Sequence, residues 1–451
     1  MLRPCLVLAL VVSGLCLAPA SAQVLPSRPD DPGADGPDAR RLALPPRDSE
    51  DEDVDESEGS EAALHDQPSG PATRPARRTS GSVPAPGSLQ DRTSASGPGG
   101  RNITSFDRRA QSRIGGYFDN EFVQPFSGRS TFKAHRLILQ TSSYLHDNLL
   151  FSSEIEYEYG AQIQANSGDG ELKIEQAWAD YRIDDLLTLR GGIVLMPIGI
   201  INVLHDSDFR ETTTRPLMTE QVIPSTWMDS GAGFHGLAYP NDEMQLTYEA
   251  YVTNGLSQRI SATDGLKRAR PSFKDDNNGN KALSGRVALS PWLGLELGTS
   301  GYFGRYDDVH ALSLLGTDIT WSLGAFELAG EYARIRTEGG SWLNGADLVP
   351  VPEGMEGWYL EGRWRFFPEW LHGTFMGRDG GYPQASMALV GRYGGADTDL
   401  LASGRTDRTE MLIGLNYRPI QTFVAKWELV RRADPVTGPQ DALWSSIAVG
   451  F

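Results

Sequence analysis

From Arg113 to its last residue the sequence returns again and again to a two-residue hydropathy period. The plainest run is Phe151 to Ile163. Phe151, Ser153, Ile155, Tyr157, Tyr159, Ala161 and Ile163 take one face, and Ser152, Glu154, Glu156 and Glu158 the other. Successive side chains point to opposite sides of a strand, whereas a helix repeats every 3.6 residues, so such a run reads as a strand. The same texture recurs at 244–252, 326–332, 358–366, 411–418 and 423–429. The period predicts an all-β fold.

Two all-β solutions compete. In a sandwich the apolar faces meet in a dry interior; in a lipid-embedded barrel they face outward. The connections favour the barrel. Tight turns at Asp184-Asp185, Pro240-Asn241-Asp242, Pro291-Trp292, Gly324 and Pro419-Ile420 alternate with long polar loops at 199–227, 255–280, 338–355 and 396–407. Short turns on one rim and long loops on the other are the habit of outer-membrane barrels. Trp292, Tyr302, Trp321, Trp342, Trp370, Tyr393, Tyr417 and Trp444 fall near strand ends, where aromatic rings anchor at membrane interfaces. The closing run puts Leu443, Ser445, Ile447, Val449 and the terminal Phe451 on one face, resembling the assembly signal of bacterial outer-membrane proteins.

After the N-terminus no apolar run is long enough for a membrane helix. A barrel strand needs none, since it shows lipid only every second residue. It must close, because an open edge would leave backbone groups unpaired in lipid. At roughly 21 residues per strand and connection, residues 111–451 hold sixteen strands. Both ends on the periplasmic side demand an even number. Leu371 to Gln384 therefore reads as one irregular connection, with eighteen strands the alternative.

Residues 1–22 read as a secretory signal: Arg3, an apolar core from Cys5 to Leu17, then Ala20-Ser21-Ala22. Both cysteines, Cys5 and Cys16, lie inside it, so cleavage leaves no disulfide or thiolate metal site. Residues 23–110 are rich in Pro, Ser, Gly, Asp and Arg without apolar periodicity, and read as a disordered periplasmic linker that could touch the cell wall. Residues 111–451 are the barrel. A net charge of −18 argues against nucleic acid as a partner.

With apolar faces on lipid, the polar faces line water. They bring Glu154, Glu156, Glu158, Arg190, Glu249, Glu327, Glu331, Glu361, Arg363, Arg365, Arg392, Lys426 and Glu428 into the lumen, where rings of charge set ion preference. The strand at 187–195 leaves at Pro197 and returns near Ser230. An excursion of roughly thirty residues is rarely structureless filler, and this one is expected to fold into the barrel mouth. Arg190, His205, Asp206, Asp208, Arg210 and Arg215 are the candidates for the constriction, with Glu154, Glu156, Glu361, Arg363, Arg365 and Arg392 lining the pore. Asn202, His205, Asp206, Asp208 and Glu211 carry groups that a divalent ion can use, but polar constriction loops carry them anyway. The run Asp275 to Gly279 is out of register for a calcium loop, with Lys274 at the first ligand position. No metal, cofactor or catalysis is expected.

The segments Glu175-Gln176-Ala177-Trp178-Ala179-Asp180-Tyr181, Leu189-Arg190-Gly191-Gly192, Met196-Pro197-Ile198-Gly199, Asn202, His205, Arg215-Pro216, Ile223-Pro224 and Trp227, then Gly231 and Gly233, resemble the phosphate-selective porin O and P family. Later segments agree: Gly357-Trp358-Tyr359-Leu360-Glu361-Gly362, and Arg392-Tyr393 with Asp399-Leu400. The resemblance spans about 111–451. It implies a sixteen-stranded porin in the outer membrane of a Gram-negative cell, often trimeric, with an inward-folded loop and a pore favouring anions such as phosphate. Only six lysines follow residue 110 (Lys133, Lys173, Lys267, Lys274, Lys281, Lys426), and no lysine cluster or arginine ladder can be placed on the family pattern. The expected function is passive diffusion of small hydrophilic solutes or ions. The alternative is a non-conducting structural or adhesive barrel tethered to the cell wall by its tail.

Overall fold

The computed structural model describes residues 111–451, apart from 160–169 and 403. The signal segment, the linker at 23–110, and Ala161 and Ile163 lie outside the described residues.

The alternating runs become β1 (Gln111–Pro125), β2 (Thr131–His146), β3 (Leu149–Glu158), β4 (Glu171–Arg182), β5 (Thr188–Leu195) and β6 (Met228–Ala238). They continue as β7 (Gln245–Thr253), β8 (Ala282–Trp292), β9 (Leu295–Arg305), β10 (Ala311–Leu323), β11 (Phe326–Thr337), β12 (Ser341–Asn344) and β13 (Asp347–Pro350). The last are β14 (Gly354–Phe366), β15 (Ser386–Asp397), β16 (Asp407–Ile420), β17 (Phe423–Asp434) and β18 (Gly438–Gly450). β12 and β13 form a separate hairpin within one loop, and the other sixteen make one closed antiparallel barrel. Closure runs from Tyr117 opposite Gly450 to Pro125 opposite Ala442, which leaves no bare sheet edge. The stretch from β14 to β15 is a single connection containing the short 3-10 turn Glu369–Leu371, as strand parity requires.

The turns at 147–148, 183–187, 239–244, 293–294, 324–325 and 421–422 share one rim with both ends of the barrel chain and the β14–β15 connection, and the long loops after β5, β7 and β11 share the other with three shorter connections. On the outer wall Phe303, Leu315, Leu360, Met411, Ile413, Trp427 and Leu429 are all exposed. A belt of that extent far exceeds the few hundred Å² of apolar patch that water tolerates. It is a lipid-facing surface, and the protein is a transmembrane barrel. The alternate positions Glu154, Glu156, Glu331, Glu361, Arg392, Lys426 and Glu428 point inward and are buried.

One sector of the interior departs from the sequence reading. Tyr302 and Trp342, read as interface aromatics, point into the lumen side; the Tyr302 hydroxyl accepts from the Leu256 amide (2.9 Å), and the Trp342 indole donates to the Ile260 carbonyl (2.8 Å). Trp444 also turns inward, with the Lys133 ammonium 4.7 Å from its ring centre. The reason is that two loops bring their own apolar residues inside. Ile198, Met218, Ile223 and Trp227 from the β5–β6 loop, with Leu256, Ile260 and Leu266 from the β7–β8 loop, pack on Tyr302, Leu314, Ile335 and Tyr359 of the wall. Burial of this dry cluster fixes both loops inside the barrel.

Candidate functional site

The β5–β6 loop enters through Pro197-Ile198-Gly199. Gly199 has φ 72°, and a Cβ there would fall 2.2 Å from Glu331 Oε2, so glycine alone fits the corner. The short helix α1 (Ile200–Val203) follows, and the Ile201 amide donates to Glu331 Oε1 (2.9 Å). Asn202 ties the two ends of the loop together. Its Nδ2 donates to the Met196 carbonyl (2.7 Å) and the Trp227 carbonyl (3.0 Å), while its Oδ1 accepts from the Trp227 amide (2.7 Å).

The middle of the loop reaches the opposite wall. Arg392 donates to Thr212 Oγ1 (2.9 Å), the Thr214 carbonyl (3.1 Å) and Thr214 Oγ1 (3.0 Å), and pairs with Glu410 (2.8 Å) and Glu361 (3.3 Å). Glu428 accepts from the Thr213 and Thr214 amides. Lys426 Nζ donates to the Ser207 carbonyl (2.5 Å). Glu211 accepts from Arg365 (2.7 Å) and Asn416 (2.7 Å), with Arg418 3.5 Å away. Burial opposes the charge of Glu211, but Arg418 and then Arg365 overcome it and hold its carboxyl below the ordinary value. A second short helix, α2 (Leu217–Gln221), ends the crossing against β14 and β15, where Glu220 pairs with Arg432 (2.8 Å).

Two cavities flank this crossing. The one toward the loop rim measures 700 Å³. Its walls carry the cations Lys133, Arg136, Lys173, Arg210, Arg215, Lys267, Arg270 and Arg432 against the acids Glu121, Glu158, Glu171 and Glu220. Some of that charge is paired: Arg136 sits 3.0 Å from Glu156, and Lys173 2.5 Å from it. Arg215 is half-buried; desolvation first, and the nearby Arg136 and Arg210 charges next, pull it down to about 10, so it stays cationic at neutral pH. The second cavity, 570 Å³, opens by the turns and is lined by Arg190, His235, Glu249 and Arg286 among others. There Arg190 makes a two-point pair with Asp180 (2.7 and 2.8 Å) and stacks on the Trp178 ring.

The residues singled out in the sequence do not form one ring. Arg210 and Arg215 reach the loop-rim cavity, and Arg190 the turn-rim cavity. Arg210 spends its guanidinium on the carbonyls of His205, Thr212 and Thr213 within its own loop. Glu361, Arg363, Arg365 and Arg392 form one interlinked block with Glu211, Glu327 and Glu410, in which Glu361 and Arg392 are buried. Arg365 and Arg392 anchor the loop through Glu211, Thr212 and Thr214, while Glu361 and Arg363 pair along the wall itself. Glu154, Glu156 and His205 are buried, with Asp206 beside them, where the loop meets β3 and β4. Asp208 offers its carbonyl to Arg418 (2.8 Å). Arg136, Lys173, Glu175, Lys267, Arg270, Glu410 and Arg432 were missed. They come from β2, β4, the β7–β8 loop, β16 and β17, and only the folded barrel brings them together.

No family model matches the chain. An uncharacterized protein of Aquifex aeolicus is 29% identical over 268 residues, 55% of this chain, and the match spans 60% of that relative's length. Among solved structures, OmpF of Salmonella typhi in complex with daunomycin aligns over 75% of this chain and 97% of its own, with TM-score 0.50 and 10% identity. The outer membrane channel DcaP of Acinetobacter baumannii (11% identity, 76% and 98% covered) and an anion-selective porin from Comamonas acidovorans (10%, 76% and 100%) each align with TM-score 0.49. The likeness to OmpF is one of fold: this chain closes into a barrel like that of OmpF.

Proposed function

We propose that this barrel is an outer-membrane diffusion channel for small hydrophilic solutes, narrowed by its own inward loops and favouring anions at its loop-rim entrance. The observation that carries the reading is the loop-rim cavity, with eight lysines and arginines against four glutamates in a chain whose overall charge is −18. A cationic entrance with low-dielectric walls concentrates anions ahead of the narrows. Phosphate enters as one such anion, by the resemblance to the phosphate-selective porin O and P family. The turn rim faces the periplasm, following the habit of such barrels. Residues 1–22 direct export and are removed, residues 23–110 act as a periplasmic tether with access to the cell wall, and a homotrimer is the assembly proposed.

The test is the reversal potential of the reconstituted protein across a potassium chloride gradient. The reading expects a sign set by chloride, and added phosphate should reduce the chloride current. A potassium-set sign overturns the anion preference. One observation favours a second reading, a non-conducting structural barrel: the dry cluster of Trp227, Tyr302 and their neighbours fills one sector of the interior. That reading expects a correctly folded barrel with no current at all.

A further inference from the structure

The loop meets β3 and β4 at a cluster of donors that the channel reading does not use. Glu154, Glu175 and His205 are all buried, and each offers one ligand atom within 4.8 Å of the other two. Asp206 Oδ1 lies 3.9 Å from His205 Nε2. Glu175 reaches the cluster through a β-bulge: Glu154 faces Gln176 and Ile155 faces Ile174, so Glu175 is the extra residue and points inward beside Gln176. Bulges of this kind re-aim a side chain at the cost of one ladder position.

Each donor is held from behind. His205 Nδ1 lies 3.2 Å from the Asn202 carbonyl, which takes its proton and frees Nε2 as a ligand. Glu175 Oε1 accepts from Thr226 (3.1 Å), and Glu154 Oε2 from Gln176 (2.7 Å). Outer partners of this kind orient the ligands of metal sites. The inner atoms are left over. Glu154 Oε1 and Asp206 Oδ1 are buried and have no hydrogen-bond partner among the described residues. Glu154 as a whole is 4% exposed. An imidazolium–carboxylate pair between His205 and Glu175 (3.1 Å) would satisfy those two groups and leave the other oxygens dry. A second triad, Asp119, Glu121 and His135, also leaves Asp119 Oδ1 without a partner among the described residues but lies beside a cation: Nδ1 is 2.9 Å from Asp119 and 3.0 Å from Glu121, and Nε2 is 3.1 Å from the Arg136 guanidinium.

We propose that Glu154, Glu175, His205 and Asp206 bind one divalent transition-metal ion of the zinc type, which pins the β5–β6 loop to the wall. One imidazole with carboxylates suits zinc or manganese rather than the soft copper(I) or the all-oxygen calcium. Three carboxylates exceed the charge of such an ion by one; the nearest ammonium, Lys173, lies 4.0 Å from Glu175 Oε1 and is shared with Glu156 at 2.5 Å. The site stands at a partition. Along β4, Lys173 borders the loop-rim cavity, Glu175 holds the ion, and Asp180 pairs with Arg190, which borders the turn-rim cavity. Occupancy therefore fixes the loop to the wall between the residues that line the two cavities.

The test is calorimetric titration of the full chain, folded in detergent and stripped with chelator, using zinc ion alone. One zinc per chain is expected, with affinity reduced at least tenfold in His205→Asn and in Glu154→Gln. His205 lies in the loop, outside the strand ladder, so its replacement leaves barrel closure intact; a heat-modifiable gel shift checks this. No saturable uptake by the folded protein, or unchanged affinity in both variants, overturns the proposal. Binding is read without any current, so a silent barrel would refute the channel and leave the metal site standing.

Discussion

Arg392 shows how much of this structure rests on single inward charges. Its guanidinium joins two wall carboxylates to two loop threonines while fully buried. Replacing one partner of a buried pair strands the others, at a cost of about 3–5 kcal/mol. Arg392→Met should therefore release the middle of the loop, seen as new protease cleavage between 204 and 216 in a barrel that still shifts on heating. Glu211 carries a pH prediction. Its carboxyl is held below its ordinary value of 4.5, so its contribution is complete above that value and is lost only as pH falls through the lower folded value. The protection of residues 204–216 against hydrogen exchange, corrected for the intrinsic pH dependence, should hold from pH 7 to pH 5 and be lost only below the ordinary carboxyl value of 4.5. Glu211→Gln should exchange quickly throughout and show no such step.

At the scale of elements, the strands were legible because lipid on one side and polar groups on the other impose the two-residue period. Even the connection after Trp370 could be resolved by parity. The inward loop was legible from its length and from the Pro197-Ile198-Gly199 corner. The dry sector was not, since its wall residues Tyr302, Leu314 and Ile335 pair with apolar residues from distant loops, and a strand sequence does not reveal its partner. The basic entrance was equally hidden, because Lys133, Lys173, Arg270 and Arg432 come from four separate segments. The corner gives a direct check. In Gly199→Val, the φ of 72° costs about 1–2 kcal/mol for a residue with a Cβ, and that Cβ collides with Glu331. The variant should assemble normally, since Gly199 pairs with no strand, yet show a noisier current than the parent.

Among the described residues the molecule is a closed wall whose ladder begins at β1 and ends at β18. Removing residues 23–110 should leave conductance unchanged if that segment is a tether alone; a lost current would show that it contributes to the channel. The central claim is that loops folded into the lumen set the width of a water-filled path. Single-channel recording in planar bilayers tests it most directly, comparing the parent with a barrel in which residues 200–226 are replaced by a short glycine–serine turn. The account predicts stepwise openings in both, with conductance several-fold larger in the shortened form. Equal conductance, or a folded parent that never opens, would contradict it.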